Sequence, residues 1–226
     1  MSKRGLLILA VVASLVWVSL RLTVFSDVGR EEPEPRVASE PLAELRVVDG
    51  VVETRSGSEA FKAVRTTADV EAGVEIRTAA GALAEIEYFD GSLSRIGPHT
   101  TYKVVELDDT PGRTAIVGKI GLGETFHDVK KLTGSGSRFE IQESNAIASV
   151  RGTRFAARCL PPLPCGVAVV EGEVVVTSSG GQPVSVEAGH RVTIDDEGLL
   201  GDVTQVNPED PWLNRNRDLD APEAQG

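Results

Sequence analysis

The stretch from Ile147 to Val176 constrains the fold more than any other. It reads as two strand-like runs, Ala148–Cys159 and Gly166–Val176, separated by a proline-rich loop with a cysteine at each mouth. Val167, Val169, Val174 and Val176 are β-branched and favour a pleated surface over a helix. Pro161, Pro162 and Pro164 cannot donate to a ladder, so pairing must stop between the runs. In an antiparallel pair Cys159 and Cys165 lie opposite each other, within bridging range. A disulfide there is the favoured reading and implies an oxidising compartment; the alternative is two free buried thiols. Gly152 interrupts the left run and is expected to mark a bulge that re-aims Arg151. The Arg151 fork then either grips a ligand or ties two layers of sheet together, through carbonyls or a carboxylate such as Asp90 or Glu171. The tie is favoured.

The same pattern extends in both directions. Turn signals recur about every 8 to 12 residues, from the Asp49-Gly50 turn through Ala72-Gly73, Ala79-Gly81, Asp90-Gly91, Gly97-Pro98 and Asp108–Gly112 to Ala188-Gly189, without a convincing amphipathic helix. The expected fold is all-β, a β-solenoid-like stack or a sandwich over 45–200. Residues 201–226 read as a tail broken by Pro208, Pro211 and Pro222, with Trp212 packing a short turn back on the sheet.

Val150-Arg151-Gly152-Thr153-Arg154-Phe155 resembles the V-R-G-T-x-F signature of the FecR domain family. The resemblance continues through the valine alternation around Gly172 to Ala188-Gly189-His190, and upstream to Phe89-Asp90-Gly91-Ser92, covering most of 47–195. It implies an all-β, non-enzymatic module outside the bacterial inner membrane. In the founding family such modules relay a transport signal to a cytoplasmic sigma factor. The family-motif residues are Val150, Arg151, Gly152, Thr153, Phe155, Gly172 and Gly189.

The N-terminus agrees with export. Residues 1–4 contain Lys3 and Arg4, and an uncharged run from Gly5 to Leu20 follows. As a helix this run is roughly 24 Å long, extended by Leu22, Val24 and Phe25 while Arg21 snorkels. Residues 5–25 are therefore expected to be a single transmembrane signal anchor, cytoplasmic at its N-terminus, with the remainder in the periplasm. A cleaved signal peptide, cut after Ser26, is the alternative and gives a secreted protein. Residues 26–44 are acidic and proline-rich and read as a spacer. Four residues ahead of the apolar run are too few for a cytoplasmic anti-sigma domain. A signal is thus expected to pass through contact of the membrane segment with another protein, the alternative being that the chain acts as a detached module.

Composition narrows the partners. The net charge of −11 over 226 residues and a pI near 4.8 exclude nucleic acid, which requires a basic face. His99, His127 and His190 show no metal-ligand spacing, so neither metal nor cofactor is expected. No nucleophile elbow is present, and Gly121-Leu122-Gly123 leads into no helix that would cradle phosphate. Asp108-Asp109 and Asp195-Asp196-Glu197 lack the alternating ligands of a calcium loop and read as solvated turns. No catalytic residue is assigned and the ligand is left unknown. The partner is an unidentified protein or, on the alternative of a structural envelope module, an envelope glycan.

Overall fold

Side chains that alternate between buried and exposed along successive short strands must pack one face of a sheet against another, and the chain does so. The computed structural model describes residues 42–143, 145–178 and 181–220. Residues 5–25, expected from sequence to be a signal anchor, and most of the expected spacer lie outside these residues. Among the described residues no helix is long and apolar enough to cross a membrane.

Among the described residues seventeen strands form two facing layers. The first layer runs in the order β4 (Thr67–Asp69), β1 (Ala43–Asp49), β6 (Leu83–Tyr88), β7 (Leu93–Ile96), the C-terminal half of β9 (Arg113–Asp128), β12 (Arg154–Cys159), β13 (Cys165–Glu171), β16 (His190–Ile194) and β17 (Thr204–Gln205). The second runs β3 (Lys62–Val64), β2 (Val52–Ser56), β5 (Val74–Thr78), β8 (Thr101–Thr110), the N-terminal half of β9, β10 (Arg138–Glu143), β11 (Ala146–Val150), β14 (Glu173–Ser178) and β15 (Val184–Glu187). All pairs are antiparallel except β9–β10. The arrangement is an open sandwich through which the chain zigzags, most regularly after β9, where each hairpin lies in the layer opposite the last.

The two strand-like runs of the sequence are each broken once. The left run divides into β11 and β12 at Arg151–Thr153, and the right into β13 and β14 at Gly172. β11 pairs with β14 in one layer, while β12 pairs with β13 in the other. The predicted hairpin is thus a ribbon folded over the sandwich edge. Asp49-Gly50 is also a corner rather than a hairpin turn, because β1 and β2 lie in different layers. β9 is continuous over its sixteen residues and changes layer around Gly121–Gly123.

The core fills the space between the layers. Leu45, Ile86, Phe155, Val167, Val169 and Ile194 descend from the first layer, and Ile76, Tyr102, Ile116, Phe139, Val174 and Val176 rise from the second. Gly118 leaves room for the Tyr102 ring, whose hydroxyl lies 1.8 Å from where a Cβ at Gly118 would stand. A second, smaller cluster covers the outside of the first layer. There α1 (Pro211–Asp220) lays Trp212 and Leu213 on Leu83, Phe126 and Ala156. Trp212 does pack back as the sequence suggested, but from a ten-residue helix rather than a turn.

Corners stack along one long edge of the sandwich. The Asp90 carboxylate accepts the Ser92 N–H and hydroxyl, both at 2.9 Å. The Ser92 hydroxyl in turn accepts the Lys130 N–H at 3.0 Å. The Val129 N–H donates to the Thr153 carbonyl at 3.0 Å, and the Thr153 hydroxyl to the Glu173 carbonyl at 2.9 Å. The Ala188 N–H donates to the Gly172 carbonyl at 3.1 Å, and the Gly189 N–H to the Val169 carbonyl at 2.9 Å. Gly152 and Gly172 have φ of +93° and +83°. A Cβ on Gly172 would sit 2.9 Å from the Gly152 carbonyl oxygen, and one on Gly152 3.1 Å from the Lys131 Cα. Left-handed backbone and close approach both demand glycine here.

Gly189 shares the left-handed backbone, with φ +80°, but has open space where a Cβ would go. Gly189→Ala therefore carries conformational strain alone, about 1–2 kcal/mol. Gly172→Ala must also displace backbone and should cost more. Urea unfolding midpoints of the two variants give the comparison; equal losses would remove the close-approach argument.

Candidate functional site

The predicted motif residues come together, but mostly as structure. Val150, Thr153 and Phe155 are buried; Gly152, Gly172 and Gly189 form the stacked corners described above. Arg151 differs from expectation. Its side chain is exposed at the β11–β12 corner, and its guanidinium makes no hydrogen bond or ion pair among the described residues. It does not join the layers to Asp90 or Glu171. The backbone and the Thr153 hydroxyl do that work. Arg151 instead borders a shallow groove of about 370 Å³ on the outside of the second layer, with Arg138, Glu140 and Glu173.

Cys159 and Cys165 form the expected disulfide, with Cα atoms 4.2 Å apart across the mouth of the proline loop. Closing so short a loop stabilises by about 2 kcal/mol on a chain-entropy model.

The densest charge cluster lies beneath α1, where sequence reasoning placed nothing. Asp210 caps the helix, its Oδ1 accepting the Trp212 and Leu213 N–H groups at 3.0 and 3.1 Å. The Arg158 guanidinium grips the same carboxylate with two hydrogen bonds of 2.9 and 3.0 Å and reaches Glu124 at 3.1 Å. Burial opposes ionisation of Asp210, yet Arg158 and the first helical amides outweigh it and hold its carboxyl below the usual range. At the other end, Asp220 pairs with Arg154 and, at 2.6 Å, with Arg95. Arg95 is 6% exposed and binds Glu85 at 2.8 Å. Burial opposes its charge, but Asp220 and Glu85 raise its pKa. The helix is thus clasped at both ends by arginines whose sequence partners are distant. The one legible signal was Asp210 before Pro211, a helix-start pattern.

Beside α1 an amphipathic groove of about 310 Å³ opens on the first layer. Phe126, Val206 and Leu213 supply its apolar walls, and Arg154 and Arg217 its charge. The exposed Val170 lies at its margin.

Between the layers, His127 is fully buried and stacked on Phe155 with ring centroids 4.8 Å apart. Its Nδ1 lies 2.7 Å from the Ser94 hydroxyl and its Nε2 2.8 Å from the Thr125 hydroxyl. Burial lowers its pKa to about 3. With both nitrogens engaged and no exposed surface, the ring is a structural element rather than a base. His99 is exposed and His190 is half-buried against the Ala188 carbonyl, so the three histidines share no site. The Asp195 carboxylate accepts amides of its own turn, as the solvated-turn reading requires, whereas Asp108 and Asp109 lie in β8, paired with Ala115 and Thr114, and the turn itself falls after Thr110.

A further buried group escaped the sequence reading. Glu143 is 1% exposed, and among the described residues neither carboxyl oxygen has a hydrogen-bond partner. Burial pushes its carboxyl well above the usual carboxylate range. The signal was present in the sequence: Phe139, Ile141 and Glu143 share one parity of β10, so two core residues predict the third's direction.

The comparisons agree with the motif. Residues 74–175, from the start of β5 into β14, match the family model described as FecR protein. No curated protein matches the chain. Two crystal structures of a candidate anti-sigma factor from Parabacteroides distasonis are similar to it, each at 18% identity and a TM-score of 0.47. The match covers 59% of this chain and 59% of that one, about three fifths of each length.

Two outcomes follow. Because the unfolded chain binds a proton at His127 that the folded chain refuses, stability should fall as pH drops below 6.5 toward 3. The slope reaches about 1.4 kcal/mol per pH unit for one proton. Urea melts across pH 4.5–6.5 should show it in the native protein and lose it in His127→Gln. Arg151→Ala should leave the melting temperature within the small range of a surface substitution, about 0.5 kcal/mol in stability. A clear drop would reinstate Arg151 as a tie.

Proposed function

We propose that this chain is a non-enzymatic, FecR-type sensor or interaction module, held outside the inner membrane by residues 5–25 and acting through a protein partner. The observation that carries this reading is the FecR match over 74–175, joined to a fold in which the family's signature residues build corners. Those residues set the scaffold, and recognition falls to the outer surfaces. The apolar run of 5–25 after Lys3 and Arg4 supports a single span with the β domain on the far side. The Cys159–Cys165 disulfide supports an oxidising compartment. The groove beside α1 sets the exposed Arg217 above an apolar floor, beside Arg154, whose guanidinium is already paired with Asp220. Its chemistry suits an acidic, partly apolar segment of a protein.

A topology reporter fused after Gly226 and cross-linking in intact envelopes test the two halves separately. The reporter should be active outside the cytoplasm. A defined protein should cross-link to the domain, and Arg217→Glu should weaken its capture. Reporter activity confined to the cytosol overturns the anchor reading. Retention on envelope glycan with no protein cross-link overturns the partner reading in favour of a structural, sugar-binding module.

A further inference from the structure

Glu143, Cys159 and Cys165 lie together at one place in the core. One carboxyl oxygen and the two Sγ atoms all fall within 4.8 Å of one another. Glu143 and Cys159 are each 1% exposed, whereas Cys165 is only half-buried. A buried carboxyl group without a partner is costly. Here, among the described residues, both of its oxygens are without a partner and one of them stands beside a disulfide, which offers it no hydrogen-bond donor. The oxidised state leaves this acid unused.

Reduction changes what the three groups can do together. With a phosphine as reductant, the S–S bond breaks as the phosphine and water become phosphine oxide, leaving two thiols. Two thiolates and a carboxylate then converge from β12, β13 and β10. Tetrahedral zinc sites use such sulfur and oxygen donors, at about 2.3 and 2.0–2.2 Å from the metal. Ligands so placed stand about 3.5–4 Å from one another, so the sulfurs need only separate within the span the three already occupy. We propose that the reduced protein holds one tetrahedral divalent cation of the zinc class through Cys159, Cys165 and Glu143, with the fourth position open. Binding displaces the two thiol protons and any carboxyl proton, and the cation offsets three anionic ligands that the core alone does not tolerate. The disulfide and the metal are then alternative closures of the same loop.

Cobalt(II) is the probe, because thiolate ligation gives it a charge-transfer band and tetrahedral geometry gives it intense visible bands. The full exported domain is reduced with a phosphine and titrated with cobalt, beside the oxidised protein and Glu143→Gln. The reduced native protein should bind one equivalent with both signatures, and the oxidised protein should show neither. The near-isosteric Glu143→Gln should bind at least roughly tenfold more weakly, since even a residue that merely supports a ligand is worth that much. Cobalt should also raise the melting temperature of the reduced native protein and not of the variant, a readout that survives if reduction loosens the fold. Absence of the charge-transfer band in the reduced protein, or equal affinity and equal thermal shift in Glu143→Gln, overturns the site.

Discussion

The corner stack is the constraint on which the rest of the structure depends. A chain that crosses repeatedly between two layers must satisfy its backbone polar groups where pairing stops. Here each corner lends donors or acceptors to the next: Ser92 to Lys130, Thr153 to Val129 and Glu173, Gly172 to Ala188. That approach is so close that side chains must be absent at Gly152 and Gly172. The apolar core gains its burial only after these crossings put the two valine-rich faces opposite each other.

Class and periodicity were legible because they are local. β-Branched alternation, glycine turns and the cysteine pair each act over a few residues, and the all-β expectation followed from them. Connectivity was not legible. Nothing local distinguishes a glycine that turns a hairpin from one that bends a strand into the other layer, so Asp49-Gly50 and Arg151-Gly152 were read too simply. Arg151 shows the same limit from the other side. A charged residue inside a signature invites a functional or bridging role, yet Gly152 and Thr153 beside it bear the load. The ionic clasp of α1 joins residues as far apart as Arg95 and Asp220, a pairing that exists only after folding. Glu143 is the exception: its strand parity already pointed inward.

Charge is placed unevenly for a chain with net charge −11. Arg95, Arg154 and Arg158 sit on the outer face of the first layer and are largely consumed by Glu85, Glu124, Asp210 and Asp220. Desolvated pairs of this kind fix position more than they add net stability. They set α1 at one angle on the sheet, and with it the groove in which Arg217 stands.

The hairpins after β9 have a consequence for length. Each leans on the strand before it through one corner and one ladder, as in proteins assembled from repeating units. A further pair of hairpins, one for each layer, inserted between β15 and β16 would find the same ladders waiting, and removal of such a pair would leave the earlier ladders whole. The number of rungs is therefore a free variable of this architecture, adjustable to the distance a surface must span without redesign of the interior.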